Sequence, residues 1–227
     1  MMDRYARNEN ALSPKENRAL RKKSVCVVGC GGLGGFVIEL LARAGVGRIT
    51  AVDNDTFEIT NLNRQLYCTP NNLGQKKAVA AKERIATVNP EIQVEAKVLY
   101  LDKDNAQKIL QGHDLVLDCL DSIPARFMLE KACQTAKIPM IHGAIAGWYG
   151  QVAVSVPGSP VIEKIYPPDA KTGAETELGN PPFTPCCIAA WQVAEAIKVL
   201  TENPHSLISR ILYIDLLHNE TNTFTLT

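Results

Sequence analysis

Short apolar runs alternate with amphipathic stretches of helical length along most of the chain. SVCVVG at 24–29 reads as a buried strand, LGGFVIELLARAG at 33–45 as a helix, and RITAVD at 48–53 as a second strand. That order makes a parallel βαβ unit. GQKKAVAAKERIATVNP at 74–90 is predicted helical and stopped by Asn89-Pro90, IQVEAKV at 92–98 alternates as a strand, and HDLVLDCL at 113–120 is another buried strand. IPARFMLEKACQTAK at 123–137 is a helix that Pro124 opens near its first turn. PMIHGAI at 139–145 and QVAVSV at 151–156 are strands joined tightly through AGWYG. Residues 157–185, PGSPVIEKIYPPDAKTGAETELGNPPFTP, carry many Pro and Gly, show no period and read as a long crossover loop, a feature that is usually functional or mobile. CCIAAWQVAEAIKVLTE at 186–202 resumes as an apolar helix, and RILYIDL at 210–216 with TNTFTL at 222–227 close the chain as strands. The expected fold is α/β: a Rossmann-like, mostly parallel twisted sheet, helices on both faces, and an antiparallel C-terminal extension.

At 227 residues this is expected to be one domain spanning 1–227, with an N-terminal arm and helix in 1–23. Hydrophobic content of 46% and charged content of 21% describe a chain that folds on a core of its own. The 24 basic and 24 acidic residues cancel, so no global field draws in nucleic acid or an anionic membrane, and neither is an expected partner. MMDRYARNENALSPKENRALRKK has no apolar run of the signal-peptide kind, and the expected location is the cytoplasm. Seven cysteines without a CxxC pair indicate reduced thiols, and four histidines stand at no metal-ligand spacing, so zinc is not expected.

Gly29-Cys30-Gly31-Gly32-Leu33-Gly34 lies between a predicted strand and a predicted helix. Glycines there let backbone approach a phosphate, while the helix start supplies free N–H groups and positive dipole. Asp53, ending the next strand, stands where an acid accepts hydrogen bonds from ribose hydroxyls. The bland alternative is a glycine turn that only lets the helix pack closely. Rossmann sheets bind at the carboxyl ends of their strands, and Arg64, Lys77 and Asp121 each follow one. Two cations and a carboxylate near the phosphates suit nucleotidyl transfer more than hydride transfer, because cations offset phosphate charge and a carboxylate holds Mg²⁺. Taken singly, Arg64 and Lys77 read as solvated charges, and Asp121 reads as a helix N-cap.

GCGGLG at 29–34, DNDTFEITNLNRQ at 53–65, GQKKA at 74–78, DCLDS at 118–122 and QVAEAIKVL at 192–200 resemble the adenylating enzymes MoeB, ThiF and HesA, bacterial relatives of the ubiquitin-activating enzymes. The resemblance runs from about Arg4 to the C-terminus. It implies ATP-dependent adenylation of the C-terminal glycine carboxylate of a small ubiquitin-fold sulfur-carrier protein of the MoaD or ThiS type, ending in Gly-Gly, with release of pyrophosphate. By motif match it implies that Gly29, Gly31, Gly32 and Gly34 meet phosphate, that Asp53 holds ribose beside Asp55, and that Asn61, Arg64 and Lys77 address the triphosphate. Asp121 would hold Mg²⁺. RYARN at 4–8 is similar to a segment whose arginine reaches a partner subunit's site, which implies a homodimer and a catalytic role for Arg7.

The chain departs from that pattern in lacking the two CxxC pairs that bind zinc in many members. The loop 157–185 also holds none of the cysteines with which some members form a covalent adduct, although Cys186 and Cys187 stand at its end as candidate thiols or as packing residues. Three other functions share parts of the pattern: an NAD-dependent oxidoreductase, which leaves Arg64, Lys77 and Asp121 unused; a non-catalytic subunit that binds a ubiquitin-like protein; and a dehydratase of a modified tRNA adenosine. Neither the carrier nor the pathway it feeds is named by these residues.

Overall fold

In the computed structural model, which describes residues 4–226, the apolar runs stand side by side in an eight-stranded sheet. β1 (Ser24–Val28), β2 (Arg48–Val52), β3 (Gln93–Lys97), β4 (Leu115–Asp118) and β5 (Met140–Ala146) are parallel, in the order β3-β2-β1-β4-β5. β6 (Tyr149–Ser155), β7 (Arg210–Asp215) and β8 (Glu220–Thr225) continue the sheet antiparallel beyond β5, as the pattern predicted. Val28 pairs with both Val52 and Asp118, so β1, β2 and β4 end level with one another and their following loops open on one edge.

α1 (Pro14–Leu20) leads into the sheet from a capping box in which the Ser13 side chain accepts from the Glu16 N–H while the Glu16 carboxylate accepts from the Ser13 N–H. Side chains alternate along each strand, and both faces of β1, β2 and β4 are covered, which is why these read as near-continuous apolar runs, whereas β3 at the edge alternates. Val25, Val27, Ile49, Ala51, Leu115 and Leu117 meet α2 (Gly32–Ala44), α3 (Lys77–Val88) and, further along, the last helix of the chain. Cys26, Val28, Val52, Val116 and Met140 meet α4 (Ala106–Leu110) and α5 (Ile123–Ala136) on the other face. α4 was not anticipated: at five residues it is too short to show a period.

The loop predicted at 157–185 contains two short helices, α6 (Ile162–Ile165) and α7 (Glu175–Leu178). The final helix, α8 (Phe183–Leu200), begins three residues before the expected 186. α6 is fastened where it starts, because the buried Glu130 carboxylate of α5 accepts from the N–H groups of Val161 (2.7 Å) and Ile162 (3.1 Å).

Two buried histidines make stability depend on pH. His113 bridges the Leu110 carbonyl (3.0 Å) and the Thr50 hydroxyl (2.8 Å), and His142 contacts the buried Asp118 carboxylate (2.7 Å). Burial holds both rings below the ordinary histidine pKa. The unfolded chain therefore binds more protons once pH falls below about 6.5, so this contribution is complete above that value and is lost as pH falls through it toward the folded-state values. Melting temperature is expected to fall between pH of about 7.5 and 5.5, with a shallower slope in His113→Asn. Identical slopes in the two proteins would remove His113 from the account.

Candidate active site

The end of β1 turns sharply into α2. Gly29 has φ +93°, and a Cβ there would stand 2.5 Å from the Cys119 carbonyl oxygen. Gly34 is tighter still: its Cβ would lie 1.8 Å from the Gly29 carbonyl oxygen. These two glycines seat the first turn of α2 against the strand end. Gly31 and Gly32 are different, for a Cβ at either meets only the side chains of Gln65 and Arg64, at 3.5 and 3.4 Å. Gly31 is the helix N-cap and supplies no side chain to occupy the first-turn N–H groups, which leaves them as donors for an anion.

These groups line a cavity of 530 Å³ at the carboxyl ends of the strands. Asp53 lies on its wall with both oxygens engaged: one accepts from the Cys30 N–H and the other from the Asp55 N–H, each at 2.7 Å. The acid thus ties the glycine loop to the end of β2, and each oxygen keeps a second lone pair for a hydroxyl. Lys77 opens α3, is buried, and places Nζ 3.1 Å from the Asp55 carboxylate. Arg64 lies along Gly32 and donates to the Thr60 carbonyl (3.1 Å) and the Asn63 side chain (3.0 Å), which fixes its guanidinium at the cavity wall. Asp121 is exposed to the same cavity. It is not an N-cap: that position belongs to Ser122.

Gly29, Gly31, Gly32, Asp53, Asp55, Arg64, Lys77 and Asp121 therefore meet at one crevice. Gly34 and Asn61, also expected at the nucleotide, do not line this cavity. Gly34 permits the close helix packing just described. Asn61 is buried, and its side-chain Oδ1 accepts from the Glu58 N–H at 3.0 Å. Cys186 and Cys187 line neither this cavity nor the smaller one beside it. Because α8 begins at Phe183, Cys186 closes its first turn and Cys187 opens the second, and burial raises the Cys187 thiol. The Cys30 thiol in the glycine loop is raised well above its ordinary value by burial and by the Asp53 carboxylate.

Arg7 stands apart. Tyr5 is buried against Gly45, at the far end of α2, where its hydroxyl accepts from Asn89 (2.8 Å). Thirteen residues of helix separate that anchor from the glycine loop, about 20 Å, farther than two residues and one side chain span. Arg7 is exposed and does not line this cavity.

Sequence reasoning missed a second, smaller cavity of 190 Å³ that adjoins the first. Asp121, Arg126, Ala144, Ile145 and Glu175 line both. Below this junction lies a buried polar chain. The His142 Nδ1 contacts Asp118, its Nε2 meets the Tyr166 hydroxyl (3.2 Å), Gln151 donates to that hydroxyl (2.7 Å), and the Arg126 guanidinium donates to it as well. A helical signal existed: Ile123, Arg126, Glu130 and Cys133 share the buried stripe of α5. The segment before α8 roofs both spaces, with Lys171, Thr172 and Thr176 over the larger and Ala174 and Leu178 over the smaller.

The exposed carboxylate of Asp121 is a donor of the kind a hard divalent cation takes, and Mg²⁺ commonly uses one carboxylate together with substrate phosphate oxygens. Among the described residues no group of three or more His, Cys, Asp or Glu is placed to hold a metal by protein ligands alone.

Comparison with known proteins places this arrangement. The ThiF family model matches residues 5–227. The SAMP-activating enzyme E1 of Haloferax volcanii is 34% identical over 222 residues, covering 94% of this chain and 81% of that protein. The sulfur carrier protein adenylyltransferase of Thermus thermophilus is 35% identical over 227 residues, covering 95% and 84%. A crystal structure of E. coli MccB with ATP superposes with a TM-score of 0.79 at 25% identity, covering all of this chain and 72% of that one.

The two kinds of glycine should separate on mutation. Gly34→Ala is expected to cost about 2–3 kcal/mol of stability, since backbone must move to admit the methyl group. Gly32→Ala should change stability by no more than about 1 kcal/mol, because helix propensity favours alanine, yet weaken ATP binding by crowding the cavity. Chemical denaturation and calorimetry check both, and equal stability losses would mean that the loop is uniformly packed.

Proposed function

The chain belongs to the ThiF family, and from that premise we propose that it uses ATP to adenylate the C-terminal glycine carboxylate of a small ubiquitin-fold sulfur-carrier protein ending in Gly-Gly, releasing pyrophosphate. The observation that carries this reading is the junction: a nucleotide-sized cavity with glycine loop, acid and cations opens at Asp121 and Arg126 into a narrow cavity able to take an extended tail. The relatives named for adenylation of sulfur carriers, and the likeness to a protein solved with ATP, support it.

ATP lies with its phosphates against the first turn of α2 and its ribose at Asp53. A carboxylate oxygen of the carrier attacks the α-phosphorus, the bond from that phosphorus to the bridging oxygen breaks, and pyrophosphate leaves with the electron pair. Lys77 and Arg64 offset the charge that develops on the leaving group, and they do so from fixed positions, without reorganising as the charge moves. When bound, Mg²⁺ on Asp121 and the phosphate oxygens would neutralise part of the same charge. A hydride-transfer site would leave this pair of cations without a task.

We assign the working unit as a homodimer. The arm is anchored at the end of α2 remote from its own cavity, so Arg7 meets a triphosphate only across a two-fold axis. Its planar fork suits departing phosphate oxygens.

ATP–pyrophosphate exchange in the presence of Gly-Gly-terminated carriers tests the activity. Asp121→Ala and Arg64→Ala should each lower exchange by about 10²–10³, while melting temperature moves by no more than about 2 °C, since neither side chain lies in the core. Wild-type rates in either variant would remove that residue from the site. For the dimer, a mixed species built from Arg7→Ala and Asp121→Ala subunits should recover one working site. Its inactivity would mean that Arg7 is a solvated charge or acts within its own chain.

A further inference from the structure

Arg126 is 6% exposed and forms no ion pair among the described residues. One terminal nitrogen donates to the Tyr166 hydroxyl and the other to the Leu120 carbonyl (2.6 Å), while its buried Nε–H has no hydrogen-bond partner among the described residues. Asp118, the buried carboxylate of the same network, is occupied by His142 (2.7 Å) and by the Leu120 N–H (3.0 Å). A buried guanidinium held this way is costly unless an anion comes to it. Arg126 lies on the wall common to both cavities, where a tail in one would meet an α-phosphate in the other.

We propose that Arg126 binds the carrier's C-terminal carboxylate, the guanidinium N–H groups left over by Tyr166 and Leu120 donating to the oxygen that does not attack phosphorus and that becomes the carbonyl oxygen of the acyl adenylate. This deepens the adenylation reading and rests on it. The chain behind Arg126 positions it. With the His142 Nδ1 proton directed to Asp118, Nε2 is left to accept from Tyr166, and the tyrosine oxygen, also bonded by Gln151, receives Arg126 in a fixed orientation. Burial raises the Tyr166 phenol, which keeps its proton available for that donation. Tyr166 belongs to the segment that goes on to roof both cavities, so the roof and the carboxylate site share one anchor.

A carrier ending in Gly-Gly, prepared as the free acid and as its C-terminal amide, separates this role from a structural one. By calorimetry the wild type should bind the acid at least about tenfold more tightly than the amide, as expected for a charge-assisted hydrogen bond. Arg126→Gln should abolish that ratio while amide and ATP affinities stay within about threefold of wild type, Arg126→Lys should restore part of it, and Tyr166→Phe should reduce it by a smaller factor. An unchanged acid-to-amide ratio in Arg126→Gln, or equal weakening of both forms, would overturn the proposal. If Arg126→Gln does not fold, an unchanged ratio in Tyr166→Phe overturns it instead. A wild type that binds ATP and no Gly-Gly carrier defeats the adenylation reading and this one with it. A wild type that exchanges normally beside an unaffected Arg126→Gln defeats only this one.

Discussion

Close approach of two backbone segments sets the rest of this molecule in place. Because a Cβ at position 34 would stand 1.8 Å from the Gly29 carbonyl oxygen, α2 reaches the strand end only with glycine there. That contact aims the uncapped first turn of the helix at the crevice, and the Asp53 carboxylate then fixes the loop through the Cys30 N–H. Neither the first-turn N–H donors of α2 nor the Asp53 carboxylate would hold position without the packing beneath them. The same level ending of β1, β2 and β4 brings Arg64, Lys77 and Asp121, distant in sequence, to one wall.

Charge is distributed so that the cavity side stays ready for an anion. Lys77 is balanced by Asp55, whose carboxylate is largely exposed. Arg126 has no such balance among the described residues, and its orientation comes from neutral and carbonyl partners. The buried Asp118–His142 pair supplies that orientation from the core. The crossover segment is clasped by two residues one turn apart on α5, Glu130 at the start of α6 and Arg126 at Tyr166. Structure that serves folding therefore continues without a break into structure that faces substrate.

Much of this was legible in the chain. The strand runs and their order, the antiparallel extension, the glycine loop and the strand-end residues follow from periodicity and from the rule that such sheets bind at their carboxyl ends. Gly34 and Asn61 do not line the cavity, because a motif gives spacing but not direction: position 34 faces the Gly29 carbonyl, while position 32 faces the Arg64 side chain at the cavity wall. α4 escaped because five residues show no period. The polar chain escaped because its members lie on three strands, one helix and one loop, and a lone His142 in PMIHGAI or Arg126 in IPARF carries no sign of a partner. Which face of α5 is covered was the missing fact, and only tertiary packing supplies it.

The central claim is the fate of the ATP phosphates. Intact-mass spectrometry of a Gly-Gly carrier incubated with the protein and ATP, with phosphate products followed in parallel, tests it most directly. The account predicts a carrier heavier by one adenylyl group and pyrophosphate released in equal amount. ADP and inorganic phosphate as the products, with the carrier's mass unchanged, would contradict it.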